Sequence, residues 1–272
     1  MPVRTDRALV LTRHPYGESS LVVHVLTHGA GRVHLLAKGA YRTTSRYFAV
    51  LDLFDTLELE FQTTPGSDLA LLRRGEVATR RAGILGDLAR YRAGLAILEL
   101  CELVARAEAP EPRLFERTEA ALDDLAAGAL PADLVLTAWE LALLDLLGLF
   151  PALDRCAACG RAPGVVRGLA GRTAFSAGAG GRLCAPCARE ARASGRRVGT
   201  LPVSVLDAAR ALWQDPRPAA APPPERLTLV RDFVERFLDY HLETRPKSHR
   251  LFLSVQNRNA PQKGARTAPH ER

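Results

Sequence analysis

The sequence lacks the segments and motifs that mark membrane proteins and the common hydrolases. No stretch approaches the roughly 18 uninterrupted apolar residues of a membrane-spanning helix. The first residues, MPVRTDRALVLTRH, have neither the apolar core nor the cleavage site of a signal peptide. The motifs GxxxxGKS/T, HExxH and GxSxG do not occur. We therefore expect a cytoplasmic protein that has no membrane partner and is not an enzyme.

The histidines and acidic residues give no catalytic pattern either. The seven histidines are scattered, and His24, His28 and His34 have spacings typical of exposed strand residues rather than of a ligand set. Neighbouring carboxylates occur in acidic helical segments, where solvated charges are the usual interpretation. The sequence therefore offers no candidate catalytic residue.

Charge is distributed unevenly along the 272 residues, whose net charge is +7. Residues 151–200 contain nine basic and two acidic residues, and residues 245–272 contain seven basic residues and one acidic residue. Residues 81–150, in contrast, contain six basic and twelve acidic residues. A basic module beside an acidic scaffold favours a polyanionic partner such as nucleic acid.

Four of the five cysteines form two CxxC pairs, Cys156 with Cys159 and Cys184 with Cys187, separated by 24 residues. This spacing is typical of a tetrahedral zinc site. Two disulfides are an alternative that requires an oxidising compartment, and redox or iron–sulfur chemistry is another. Because four cysteine ligands leave no open position for water, we expect one structural Zn²⁺ without catalytic duty.

Dense β-branched and alternating apolar residues predict five short strands in the N-terminal part of the chain. They span Arg7–His14, Ser19–His28, Arg32–Ala37, Asp55–Phe61 and Leu69–Ala78. Five strands in about 70 residues favour a small closed barrel, for which an OB-fold is the main prediction and an SH3-like barrel the alternative.

Helical periodicity follows the barrel, interrupted by the cysteine segment. We predict three helices between residues 84 and 150, of which the third is central, and two more at Pro202–Trp213 and Glu225–Glu243. The chain is thus an α+β multidomain protein. Its predicted parts are an OB-fold barrel (1–80), a helical domain in two parts (81–150 and 201–256), an inserted zinc module (151–200) and a disordered basic tail (257–272).

The segment KGAYRTTSRYF joins the third and fourth predicted strands. It interleaves the cations Lys38, Arg42 and Arg46 with the aromatic residues Tyr41 and Tyr47. Cations that follow phosphates, together with rings that stack on bases, are typical of single-stranded nucleic-acid binding. The alternative is a solvated loop whose aromatic residues close the end of the barrel. A second possible DNA path follows the basic zinc module through Arg167, Arg172 and Arg182.

Three segments carry a family resemblance: VHLLAKGAYRTTSR (33–46), FSAGAGG (175–181) before the second CxxC pair, and RPKSHRLF (245–252). With the order barrel, helices and CxxC module, they resemble the bacterial RecO family of recombination mediators up to about residue 256. The resemblance implies an N-terminal OB-fold, binding of single- and double-stranded DNA, and strand annealing in DNA repair and homologous recombination. It also implies that the four cysteines are a structural variation, since some family members lack them.

The resemblance further implies partnership with RecR and with the acidic tail of single-strand DNA-binding protein, so that RecA can load. An acidic tail that ends in apolar residues needs a groove with apolar and cationic groups. Candidates near one another in sequence are Leu238, His241, Arg245 and Lys247, for which ordinary helix packing is the alternative. Two other function classes remain open: a zinc-ribbon transcription or translation accessory factor, and a helical scaffold for protein interactions.

Overall fold

The computed structural model describes most of the chain between residues 3 and 248. The described residues are 3–42, 44–45, 47, 49–63, 66–163, 171–243 and 246–248. The predicted disordered tail, 257–272, lies outside these ranges. None of the helices within them combines the length and the apolarity that a bilayer span requires.

The N-terminal strands close into a barrel. They are β1 (Val3–Tyr16), β2 (Ser20–Thr27), β3 (Gly31–Ala37), β4 (Thr56–Gln62) and β5 (Leu69–Thr79). Their order is β1-β2-β3-β5-β4, with β4 pairing back to β1 and with β3 and β5 as the parallel pair. The five predicted strands and the OB-like barrel are thereby confirmed.

Alternation of apolar and polar residues places the barrel core. In β4, Leu57, Leu59 and Phe61 are buried while Glu58 is exposed, as expected for a strand with one face inside. The long strand β1 has a bulge at the step from Val10 to Thr12. A bulge bends a strand and increases its twist, which lets β1 pair with both β2 and β4 around the barrel.

Six α-helices occur in the described residues. They are α1 (Leu88–Val104), α2 (Pro112–Ala127), α3 (Ala132–Leu146), α4 (Ala185–Ala193), α5 (Val203–Gln214) and α6 (Pro224–His241). Helix α3 packs against α1, α2, α5 and α6, which confirms its predicted central position. Cys101 on α1 is fully buried, as expected for a packing residue, and burial raises the pKa of its thiol to about 12.

A polar network joins the barrel to the helical domain. Arg81, which is 3% exposed, donates to the Thr56 hydroxyl at 2.9 Å and to Asp123 on α2 at 2.7 Å. The Thr56 hydroxyl donates in turn to Glu119 at 2.7 Å, and Glu119 also pairs with Arg7 of β1. Because the buried members satisfy one another, the network fixes the barrel on the helices.

We expect Glu119→Ala to lower the free energy of unfolding by about 1–3 kcal/mol, since it removes the acceptor of the buried Thr56 hydroxyl. Arg7 is half exposed, so its ion pair contributes little of this loss. The measurement is urea denaturation. Glu116→Ala on the same helix is the control, because Glu116 is exposed, and it should change stability by at most about 0.5 kcal/mol. Equal losses in both variants would contradict the role of the network.

The cysteine module contains a small antiparallel sheet of β6 (Arg172–Ser176), β7 (Gly181–Leu183) and β8 (Gly199–Pro202), in the order β7-β6-β8. Phe175 of β6 packs edge-on against Phe233 and Phe237 of α6, with ring centroids 5.2 and 5.9 Å away. The module is therefore anchored to the helical domain. The glycine-rich segment between β6 and β7 forms a turn of the sheet.

Candidate nucleic-acid interface and metal centre

The connection between β3 and β4 begins with a tight turn that exposes two cations and a tyrosine. Gly39 has a φ of +70°, and its carbonyl accepts from the Arg42 N–H at 3.1 Å. The Tyr41 N–H donates to the Ser19 carbonyl at 2.9 Å, which fixes the turn beside the β1–β2 connection. Lys38, Tyr41 and Arg42 are exposed, and Tyr41 keeps 53% of its surface accessible. The turn therefore presents these three side chains to solvent from a fixed backbone.

Tyr47 lies on the opposite side of the loop, inside the barrel. It is 6% exposed, and its hydroxyl donates to the carbonyls of Leu72 (3.2 Å) and Arg73 (3.1 Å). Such burial contradicts the predicted stacking role of Tyr47 and matches the alternative, in which a loop aromatic closes the barrel. Arg46, the third predicted cation, lies outside the described residues.

The exposed cations of the turn are not neutralised within the described part of the chain. There, no carboxylate lies within 4.0 Å of the charged groups of Lys38 or Arg42. Arg74 on β5, in contrast, is paired with Glu76. Uncompensated positive charge at a barrel end is the electrostatic requirement for contact with phosphates.

A second exposed aromatic residue, Tyr16, was missed by the sequence interpretation. It ends β1 opposite Ser20 and is 55% exposed. Ser19, the residue before Ser20, has the carbonyl that accepts from the Tyr41 N–H. The rings of Tyr16 and Tyr41 therefore lie at the same end of the barrel. The signal in the sequence is an aromatic residue directly before Gly17, a glycine with a φ of +60° in the turn between β1 and β2.

Two different local structures present the four cysteines. Cys156 begins a turn in which the Gly160 N–H donates to the Cys156 carbonyl at 2.8 Å, and Gly160 has a φ of +73°. Cys184 directly precedes α4, and Cys187 lies in the first turn of that helix. The spacing of the cysteines predicted the two pairs but not this helix, which continues from the second CxxC pair to Ala193.

The four sulfur atoms lie close together but are not bonded to each other. All Sγ atoms are within 4.8 Å of one another, and those of Cys159 and Cys184 are 3.8 Å apart. Sulfur ligands at 2.3 Å from a tetrahedral zinc ion are about 3.8 Å apart, whereas a disulfide requires about 2.05 Å. The separation therefore fits a common metal ion, and the disulfide alternative does not match it.

Backbone groups favour the thiolate form of one ligand, Cys156, whereas the neighbouring thiols of Cys184 and Cys159 raise the pKa of Cys187 to about 12. Burial raises the pKa of the Cys156 thiol, but N–H groups of Cys184, Cys159 and Ala158 outweigh burial and lower the pKa to about 6. Donors that point at a sulfur favour its thiolate form, which is the form that binds metal.

On α4 and in the segment directly after it, the cysteine module exposes four arginines for which no carboxylate partner is found among the described residues: Arg189, Arg192, Arg196 and Arg197. The arginines suggested from the sequence are placed differently. Arg172 donates to the Thr200 carbonyl at 2.8 Å and Arg182 to the Thr173 hydroxyl at 3.1 Å, so both brace the sheet. Arg167 lies outside the described residues.

The histidines of the barrel are not all scattered. His24 of β2 and His34 of β3 are directly paired across the strands, and Glu102 of α1 reaches both. Potential ligand atoms of these three residues all lie within 4.8 Å of one another. The interpretation of His24 and His34 as unrelated surface residues was therefore wrong, because it did not include the strand register.

Comparison with protein families agrees with this architecture. The family model described as recombination protein O, N terminal, matches residues 1–81, and the model described as recombination protein O, C terminal, matches residues 85–250. The two matches leave out three residues between them and the last 22 residues of the chain. With a closed OB-like barrel, a helical domain and a cluster of four cysteines that could bind a metal, the chain belongs to the RecO family of DNA-binding proteins that act in DNA repair and recombination.

Proposed function

We propose that this protein is a recombination mediator that binds single-stranded DNA on its barrel and anneals complementary strands. It assists loading of the recombinase onto strands coated with single-strand binding protein, and it has no catalytic activity of its own. The observation that carries the proposal is the turn with Lys38, Tyr41 and Arg42. These side chains are exposed, fixed by backbone hydrogen bonds and free of carboxylate partners in the described part of the structure.

Annealing brings two polyanions together, so it requires more than one cationic surface. The four exposed arginines of the cysteine module are a second such surface, separate in sequence from the barrel turn. We propose that one strand follows the barrel turn and that the module screens the second strand or duplex product. Double-stranded DNA is then a ligand of the arginine surface.

The metal of the four-cysteine site is proposed to be one structural Zn²⁺ held by Cys156, Cys159, Cys184 and Cys187. Their 3.8 Å separation fits zinc, and their all-sulfur ligand set leaves no place for a reacting water. When bound, zinc supplies a crosslink between the turn at Cys156 and the start of α4. The hydrophobic cluster of the module consists of Cys156 and four small or aliphatic residues, Ala174, Leu183, Ala188 and Ala191, so this crosslink substitutes for a core.

The acidic tail of single-strand binding protein needs a different site from the one suggested by sequence. Leu238 is fully buried and serves packing, whereas Lys247 is exposed and donates only its backbone N–H to Glu99 of α1, at 2.7 Å. Arg245 lies outside the described residues. A groove of about 950 Å³ between the start of α1, the α2–α3 connection and the start of α6 is lined by apolar residues such as Leu130 and Leu227, by arginines such as Arg90, and by two aspartates, Asp87 and Asp133. Asp133 is paired with Arg231 of α6. We propose this groove for the tail.

The test is annealing of complementary strands that are both coated with single-strand binding protein, compared with the same reaction after removal of that protein's acidic tail. We expect the RecO-family chain to accelerate annealing with the intact tail and to lose most of that acceleration without it. RecR should not be required for annealing itself, so it is added only after the reaction has been measured without it. Indifference to the tail would exclude the proposed mediator role and leave a DNA-binding protein.

One alternative function has an observation in its favour. The cysteine module carries exposed arginines and a metal site, as a zinc-ribbon transcription or translation factor would. If the module reads DNA by itself, a variant with Arg196→Gln and Arg197→Gln should lose single-strand binding while Lys38→Gln with Arg42→Gln keeps it. The proposed function expects the opposite ranking for single-stranded DNA.

A further inference from the structure

Three potential metal ligands meet where the barrel contacts α1. His24 and His34 are cross-strand partners on β2 and β3, and their rings stack with centroids 3.9 Å apart. His24 Nδ1 is 2.8 Å from Glu102 Oε1 on α1. The ligand atoms of all three residues are within 4.8 Å of one another, so the cluster joins the barrel and the helical domain.

Two atoms of this cluster are buried without a hydrogen-bond partner in the described structure: His34 Nε2 and Glu102 Oε2. A buried acceptor that is left unsatisfied costs free energy, and more if it is charged. Burial lowers the pKa of His34, and nearby His24 and Arg32 lower it further, so its ring tends to be neutral and to keep a lone pair. A bound cation would satisfy both orphaned atoms at once.

We propose that His24, His34 and Glu102 form a second metal site, for a divalent first-row transition-metal ion such as Zn²⁺. Two imidazoles and one carboxylate are a common zinc ligand set that keeps one position for water. Ligands of one tetrahedral zinc ion at 2.0–2.1 Å are about 3.3 Å apart. The ligand atoms lie within 4.8 Å of one another, and the rings of His24 and His34 are stacked, so binding requires at least one ring to rotate until its nitrogen points at the ion.

Neighbouring charge sets the strength of this site. Arg32 donates to the Glu102 carbonyl at 2.7 Å and lies 3.5 Å from its carboxylate, so a cation is already close to the ligand. Repulsion from Arg32 makes this second site weaker than the four-cysteine site. Its expected effect is to crosslink β2 and β3 to α1, which makes the barrel–helix junction more stable when metal is present.

The test is equilibrium dialysis of the untagged full-length protein against micromolar free Zn²⁺, followed by metal analysis. We expect two zinc ions per wild-type chain and one in His34→Ala and in Glu102→Gln. His28→Ala is the matched control and should keep two. His28 also faces a helix glutamate, Glu116 at 3.5 Å, but no second histidine forms part of a ligand cluster there in the described structure.

A thermal readout separates metal binding from misfolding. The melting temperature of each variant without added zinc shows whether it folds. Added zinc should raise the melting temperature of the wild type and of His28→Ala, but not that of His34→Ala or Glu102→Gln. Equal zinc uptake by wild type and His34→Ala, or by wild type and Glu102→Gln, would overturn the proposal. The result is independent of the four-cysteine site, because the prediction is a difference of one ion between chains that all keep the cysteines.

Discussion

Replacing Cys156 by Ser is expected to abolish metal binding at the four-cysteine site and to unfold the cysteine module. The module has a very small hydrophobic cluster, and structural zinc in such modules contributes about 10–16 kcal/mol of apparent binding free energy. Metal analysis should show the loss of one ion per chain. Hydrogen exchange should show lost protection in residues 171–202, while strands of the barrel, such as Ser20–Thr27, remain protected.

The control for this variant is Cys101→Ala, which changes the one cysteine outside the CxxC pairs. Cys101 is fully buried on α1, so the change should cost stability by about 1 kcal/mol while it leaves the metal content and the protection of the module intact. Two results would show that zinc does not hold this part of the chain together. In one, the Cys156→Ser protein keeps its metal content. In the other, it loses the metal but the module stays protected from exchange.

The double change Lys38→Gln with Arg42→Gln is expected to weaken single-stranded DNA binding and to flatten its salt dependence. Each phosphate contact on single-stranded DNA contributes about 0.7 to the slope of log affinity against log salt, so the loss of two contacts should reduce the slope by about 1.4. The measurement is a binding titration with an oligonucleotide over a series of salt concentrations. An unchanged slope would place the phosphates elsewhere, with the arginines of the cysteine module as the next surface to test.

Tyr41→Ala separates stacking from charge. It should cost about 1–3 kcal/mol of binding free energy without changing the salt slope, because stacking releases no counterions. Tyr47→Phe is the matched control, since it removes a buried hydroxyl that bonds to the carbonyls of Leu72 and Arg73. It should lower stability by about 1 kcal/mol and leave DNA affinity nearly unchanged. The reverse pattern would mean that Tyr41 is not a DNA contact.

Strand alternation and cysteine spacing made much of the fold predictable. The inward Leu57, Leu59 and Phe61 define β4, and the two CxxC pairs predicted a four-ligand cluster that the structure brings together. The difference between Tyr41 and Tyr47 was not predictable. Both lie next to an arginine in the same loop, and only the path of the backbone turns Tyr41 to solvent and Tyr47 into the barrel.

Contacts between distant segments could not be read from the sequence either. The pairing of His24 with His34 depends on the register between β2 and β3, and the approach of Glu102 depends on how α1 packs on the barrel. The helix after Cys184 was missed because a short alanine- and arginine-rich segment has too little apolar periodicity to be distinguished from a loop.

The most direct test of the proposed mediator function is annealing of strands coated with single-strand binding protein, by the wild type and by the Lys38→Gln, Arg42→Gln double variant. Both proteins should first be shown to have the same melting temperature and the same zinc content. The account predicts that the wild type accelerates annealing and that the double variant loses most of this acceleration. Annealing by the double variant at the wild-type rate would contradict it, because the barrel turn would then have no part in handling DNA.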